Sequence, residues 1–279
     1  MGPRELRLKH VDEIVLVRHG ETDRNTARRI GKFIATSEEL HKMGILPDYL
    51  VPLNLRGRRQ AACLGQIIKK RHPSCLESNI FFDSGYLRTI ETLDVILSTW
   101  GQESARNPVR ESHLELRERE GGYPFNMSVT ELCRYFPWYL EYASIVGPFF
   151  ERRPGGESIA DVCLRVHMFL NSLRRKRKGQ KVFIVTHGGV MLAFRFWLER
   201  WSLDKSDGLF TKGNESRNCN VLIYKRDRDL DESDDAVKFR RHTDETEINR
   251  DLETVLREEE ERREAEASTG HAKKTEKPT

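Results

Sequence analysis

Two short apolar runs end in the same way, and that shared ending constrains the fold more than any other feature of the chain. In EIVLVRHGET (13–22), Ile14, Val15, Leu16 and Val17 are followed at once by Arg18, His19, Gly20 and Glu21. In KVFIVTHGGV (181–190), Val182 to Val185 lead into Thr186, His187 and Gly188. A run with no polar alternation belongs to a strand covered on both faces. Short apolar stretches at 80–82 and 219–224 predict two further strands. Between the strands lie helical patterns. Residues 56–71 carry Ala61, Ala62, Leu64, Ile67 and Ile68 on one stripe, and 87–100 carry Leu87, Ile90, Leu93, Ile96 and Leu97. Residues 158–178 carry Val162, Val166, Phe169, Leu170 and Leu173 behind Ser158 as N-cap, and 190–200 form another helix. Strands alternating with helices predict an α/β protein of three αβα layers with a mostly parallel central sheet. Ligands of such sheets bind at the carboxyl ends of the strands, which is where both His-Gly pairs fall.

The 279 residues suffice for one large domain with a sizeable core. No apolar run approaches the ~20 residues of a membrane span. The N-terminal MGPRELRLKH lacks the apolar centre of a signal peptide, so a soluble, cytoplasmic protein is expected. Cys63, Cys75, Cys133, Cys163 and Cys219 are scattered without a C-x-x-C pair, which predicts free thiols and neither a disulfide framework nor a zinc site. From Arg226 onward the chain carries an acidic surplus of about 6, leaving a basic surplus of about 10 before it; a positive body suits an anionic ligand. The expected division is therefore a domain over 1–228 and a charged, partly helical, partly disordered tail over 229–279. In that tail 244–267 could be one solvated helix with Ile248, Leu252, Val255 and Leu256 as its apolar positions. Residues 23–55 form a long polar connection. Residues 123–156, rich in aromatics and proline, look like an excursion from the sheet over a site. RRKRK (174–178) fits a helix C-terminus better than a nucleic-acid patch, because no aromatic-interleaved basic surface accompanies it.

An arginine at the end of a buried strand needs an anion. Arg18 stands there beside His19. DSGYLRTIET (83–92) adds Ser84 and Arg88 at a helix start, where backbone N–H groups also attract anions. HLELREREGGY (113–123) adds Glu118, with Glu115 and Glu120 as alternatives in the same acidic stretch. Two histidines, two arginines and a carboxylate are the parts for phosphoryl transfer through a histidine: imidazole attacks phosphorus, cations hold the equatorial oxygens, and a carboxylic acid protonates the leaving alkoxide.

RHGETDRN (18–25) resembles the R-H-G-E-[ST]-x-x-N signature of the histidine phosphatase superfamily, also called phosphoglycerate-mutase-like. The resemblance continues in order through VPLNLRGRRQA (51–61), SGYLRTIET, LREREGG, RPGGESIADVCLRV and VTHGGVM, over about residues 13–225. It implies that His19 is the nucleophile, that Arg18, Arg88 and His187 hold the phosphate, that Glu118 is the proton donor, and that Asn25 and the Gly188 N–H add phosphate contacts. It implies no metal and no cofactor. Glu21 and Glu157 are read as partners of arginines. Arg152 and Arg153 are read either as contacts to the substrate beyond its phosphate or as a solvated loop. Asn54 stands where the family has threonine, and a local hydrogen bond is expected to change.

Arg24 replaces the tryptophan of the glycolytic mutases, and GPFFERRPGGESIADVCLRV is more similar to broad-specificity phosphatases. The favoured reading is a phosphomonoester phosphatase acting on a small phosphorylated substrate, without nucleic-acid or membrane partners and with oligomeric state open. The alternatives are a cofactor-dependent phosphoglycerate mutase and a phosphate-binding module without turnover.

Overall fold

The computed structural model describes residues 11–29, 46–78, 80–101, 109–127, 129–176, 180–204, 208, 217–227, 238–242 and 244–272. The strands are β1 (Val11–Arg18), β2 (Ile80–Asp83), β3 (Val109–Ser112), β4 (Gln180–Thr186), β5 (Val221–Asp227) and β6 (Lys238–Arg241). They form one sheet in the order β3-β2-β4-β1-β5-β6. β1, β2, β3 and β4 run parallel, and β5 and β6 close one edge antiparallel. The helices are α1 (Asp23–Arg29), α2 (Leu55–Arg71), α3 (Leu87–Trp100), α4 (Val129–Tyr135), α5 (Tyr139–Phe150), α6 (Ile159–Lys176), α7 (Gly188–Leu198) and α8 (Asp244–Ala272).

The apolar runs do what their composition requires. Alternate residues of a strand face opposite ways. Ile14, Leu16, Val182 and Ile184 therefore join one core cluster with α6 and α7, and Val15, Val17, Phe183 and Val185 join a second with α2, α3 and α8. This is the expected three-layer α/β arrangement around a mixed sheet. Parallel pairing sets Val17 beside Val185 and Arg18 beside Thr186, so β1 and β4 end level and both His-Gly pairs emerge at one edge.

Local signals fix the helices. The Asn54 side chain accepts from Gly57 N at 2.8 Å and caps α2, which is what the threonine-to-asparagine departure becomes. Ser158 and Asp161 cap α6 reciprocally: Asp161 N donates to Ser158 Oγ at 3.1 Å, and Ser158 N to Asp161 Oδ2 at 2.7 Å. Two glycines permit a close approach of backbones. A Cβ on Gly20 would lie 2.5 Å from Gly57 O, and one on Gly57 would lie 2.1 Å from Glu21 O.

Three regions differ from expectation. Residues 123–156 are largely helical, with α5 interrupted where Gly147 takes φ 75° ahead of Pro148. β3 joins the sheet although most of its residues are exposed. The fold also does not end at the boundary expected after residue 228. β6 pairs with β5, and α8 lies on α2 with Ile248 fully buried and Leu252 4% exposed. The side chains of α8 also finish the edge of β5. Asn249 Oδ1 accepts from Val221 N at 2.9 Å, and Glu245 Oε2 from Ile223 N at 2.9 Å. The helix read as solvated is thus an edge cover, because an unpaired strand needs its N–H and C=O groups answered. Helix α8 also continues to Ala272, into a stretch expected to be disordered. Residues 30–45, the acidic RDLDESDD (228–235) and the last seven residues lie outside the described residues, as do the side chains of 174–178. None of the five cysteines forms a disulfide. No helix among the described residues is long and apolar enough to cross a membrane.

Candidate active site

The level ends of β1 and β4 bring the two histidines together. The rings of His19 and His187 meet edge to face with centroids 5.1 Å apart. Both are buried. His19 Nδ1 lies 2.7 Å from Gly20 O. A carbonyl only accepts, so Nδ1 carries the hydrogen, and in the neutral ring Nε2 holds the free lone pair.

His187 sits at the head of α7. Burial drives its pKa well below the ordinary 6.5, and the charges of Arg88, His19, Arg18 and Arg165 push the same way. It is therefore a neutral imidazole. Its Nε2 lies 2.8 Å from Ser84 Oγ. Its Nδ1 has no hydrogen-bond partner; the nearest carboxylate oxygen is Glu118 Oε2, at 3.8 Å. An unanswered polar atom in a fully buried ring is what a ligand site leaves behind.

Of the acidic stretch, only Glu118 reaches the histidines. Its Oε1 accepts from Arg119 N at 2.9 Å and stands near Gly189, in the first turn of α7. Glu115 turns to His113 at 3.5 Å, and Glu120 Oε1 accepts from Gly122 N at 3.2 Å. The loop is held from behind. Glu157 accepts from Arg165 Nε at 3.0 Å, from Arg117 Nη2 at 2.8 Å and from Glu120 N at 3.0 Å, and Arg165 Nη2 donates to Glu118 O at 3.2 Å. This network lowers the pKa of Glu157 against the opposing effect of its burial. Glu157 is thus a partner of arginines, as read from sequence. Glu21 likewise pairs with an arginine, Arg56 Nη1 at 3.8 Å, and also accepts from Thr26 Oγ1 at 2.9 Å.

Arg18 lies along α7, its Nε 3.6 Å from where a Cβ on Gly188 would stand. Arg88, 4% exposed, enters from the first turn of α3. One edge of its guanidinium is held by Asp48: Nη1 donates to Asp48 O at 2.7 Å, and Nη2 to Oδ2 at 3.1 Å. Arg24 Nη1 donates to the same carboxylate at 2.8 Å, and the Arg24 guanidinium lies over the Phe125 ring at 4.7 Å. Asn25 bonds locally. Its Oδ1 accepts from Thr22 N at 3.1 Å and from Asn218 Nδ2 at 3.3 Å, while Asn218 Nδ2 also donates to His19 O at 3.0 Å. Arg152 bonds the α6 cap residue Asp161. Arg153 is half-buried, and burial together with Arg119 lowers its pKa.

Sequence reasoning missed Asp48, Asn218 and Thr89. Asp48 lies in a polar connection with no periodic signal, and Asn218 is distant in sequence from all it touches.

The composite is a site of three histidine and carboxylate side chains with guanidinium groups around it. The pattern of the histidine phosphatase superfamily (branch 1) covers residues 14–230. The chain belongs to that superfamily. The phosphoglycerate mutase-like protein AT74 of Arabidopsis thaliana is 32% identical over 72% of this chain, although the match spans only 62% of that relative's length. A metal-independent phosphoserine phosphatase of the same plant is 29% identical over 66% of this chain and 67% of its own. The solved mycobacterial glucosyl-3-phosphoglycerate phosphatase complexed with VO3 shares the fold, with a TM-score of 0.59 at 19% identity over 84% of this chain and 98% of its own.

Proposed function

We propose that the protein is a phosphomonoester phosphatase that works through a phosphohistidine on His19 Nε2. The observation that carries this reading is the pairing of His19 and His187 at 5.1 Å, with the His19 Nδ1 hydrogen bonded to Gly20 O. That bond fixes the ring and leaves Nε2 as the nucleophile. Attack by Nε2 on phosphorus forms the N–P bond and breaks the P–O bond to the leaving group. Glu118 gives its proton to the departing alkoxide. It then takes a proton from water as the hydroxyl oxygen attacks phosphorus, which breaks the N–P bond and frees phosphate. Arg18, Arg88 and His187 hold the equatorial oxygens throughout, and the Gly188 N–H at the head of α7 adds a backbone donor. Asn25 acts through the loop that carries His19.

The substrate is a small phosphorylated molecule. The half-buried Arg24 stacks over Phe125 and bonds Asp48 at the position where the glycolytic mutases carry tryptophan, and this departure supports hydrolysis over mutase transfer. The test is turnover of an aryl phosphate in the presence of a chelator, with rapid acid-free quench to trap label on His19. A panel including 3-phosphoglycerate with 2,3-bisphosphoglycerate measures mutase activity directly. Full turnover by His19→Ala would overturn the nucleophile, and isomerisation faster than hydrolysis would overturn the phosphatase reading.

A further inference from the structure

The hydrogens around His187 can be assigned one by one, and the assignment has a chemical consequence. Thr89 Oγ1 lies 2.7 Å from Tyr86 O. The carbonyl cannot donate, so the Thr89 hydroxyl hydrogen is committed to it. Ser84 Oγ lies 2.9 Å from Thr89 Oγ1, and with the Thr89 hydrogen spent, Ser84 must donate there. The Ser84 hydrogen is then spent as well. Its oxygen lies 2.8 Å from His187 Nε2, so that nitrogen must be the donor. Any other arrangement sets two lone pairs against each other among side chains shielded from solvent: Ser84, Thr89 and His187 are all buried. In the neutral ring, a hydrogen on Nε2 leaves Nδ1 bare. Nδ1 is also the buried atom with no hydrogen-bond partner.

A bare nitrogen cannot hold a phosphoryl oxygen, which is an acceptor too. We propose that Ser84 and Thr89 are positioning residues that fix His187 as the Nε2–H tautomer, so that the site takes up one proton at His187 Nδ1 when a phosphoryl-type dianion binds. The proton comes from solvent, or arrives on a monoanionic ester. No bond but N–H forms, and His187 becomes an imidazolium that donates through both nitrogens. The inference rests on the reading that this pocket takes phosphoryl groups. The groups facing His187 explain why uptake waits for the ligand. Arg88, Arg18 and Arg165 and the His19 ring oppose a second positive charge there, Glu118 Oε2 stands 3.8 Å off, and Tyr86 covers the ring at 5.1 Å between centroids. A dianion held by Arg18 and Arg88 reverses that balance.

The experiment has two arms. In the ligand-free protein, nitrogen-15 NMR of the histidine rings, assigned through a His187→Gln sample, should show the hydrogen of His187 on Nε2. In Thr89→Val, Ser84 has no Thr89 acceptor, its hydroxyl turns to His187 Nε2, and the hydrogen should move to Nδ1. Tyr86 O keeps the N–H groups of Thr89 and Ile90, so it is not orphaned. Thr89→Ser should restore the wild-type tautomer. A wild-type hydrogen on Nδ1, or no movement in Thr89→Val, overturns the proposal. The second arm uses sulfate, whose charge is constant above about pH 4. Its affinity should fall about tenfold per pH unit from about pH 7 to 9, and calorimetry in buffers of different ionisation heat should count one proton taken up per sulfate. Uptake should survive Glu118→Gln and vanish in Thr89→Val. Loss in Glu118→Gln, or persistence in Thr89→Val, places the proton elsewhere and overturns the proposal. Absence of sulfate binding would count against the phosphate pocket itself, while the NMR arm, which needs no ligand, still decides the tautomer.

Discussion

Strand β1 has a cluster of two histidines and a glutamate at each end, buried except for the half-buried Glu118 and His242. At its carboxyl end His19 and His187 stand 5.1 Å apart between ring centroids, with Glu118 beside them. Near its amino end His72 and His242 stand 5.6 Å apart, with Glu13 beside them. By distance alone the two are alike: the polar atoms of Glu13, His72 and Cys75 lie within 4.8 Å of one another, and so do those of His19, Glu118 and His187. Their hydrogen bonding differs. Glu13 accepts from His72 Nε2 at 3.1 Å and has Lys225 Nζ at 3.7 Å, while Lys225 reaches His242 Nε2 at 3.0 Å. One carboxylate answers one lysine, and the histidines link them. At the other end Asp48 answers Arg88 and Glu157 answers Arg165, while His187 Nδ1 is unanswered. Residue types and spacing do not distinguish a structural cluster from a reactive one. Unspent hydrogen-bonding capacity does.

The largest expected effect separates the two clusters outright. His19→Ala should lower turnover of an aryl phosphate by about four orders of magnitude, with an unchanged thermal midpoint, because a nucleophile carries chemistry and not packing. His72→Ala should invert this, keeping turnover per folded molecule and losing about 3 kcal/mol in urea unfolding, since it strips a partner from a buried carboxylate. A stable His72→Ala protein would mean that the inner cluster, the one near the amino end of β1, holds nothing together.

A smaller effect tests α8, which begins two residues after His242 and packs on α2. Leu252→Ala in α8 should cost about 2 kcal/mol by the same measurement and leave kcat within about twofold. The deletion of residues 229–279, harmless if they are only a tail, should instead destabilise the domain, because it exposes the β5 edge and one side of α2. Intact stability after that deletion would restore the boundary at 228. The smallest effect lies in pH dependence. Burial raises the pKa of Glu13, but His72, Lys225 and Lys181 outweigh it and hold the folded value below the ordinary 4.5. A depressed carboxylate contributes stability that is present above its unfolded pKa and lost as pH falls through the folded one. Glu13→Gln should therefore flatten the acid limb of the stability curve, below about pH 5. An unchanged limb in that variant would show that the inner cluster does not hold Glu13 ionised.

Much of this was legible in advance. The runs 14–17 and 182–185 announce buried strands because nothing polar interrupts them, and α2, α3 and α6 announce themselves by an apolar stripe and a cap. The same motifs place His19, His187, Arg18, Arg88 and Glu118 in one neighbourhood, because parallel strands end together. β3 and β6 were not legible. Val109 and Phe239 are the only large apolar residues in them, too few to set a period of two. Nor was the packing of α8, whose few apolar positions suit a solvated helix as well as a docked one. Asp48 showed no pattern at all, since a single carboxylate in a polar connection gains meaning only from what it touches.

The layered α/β fold, the level ends of the two central strands and the residue types gathered there were written in the chain, for they follow from local periodicity and a handful of motifs. Folding alone settled which carboxylate meets which histidine, that Asp48 grips one edge of Arg88, that the C-terminal helix closes the sheet, and which nitrogen of His187 is bare. Those depend on the sum of contacts around each group, and such sums are set by segments far apart in the chain.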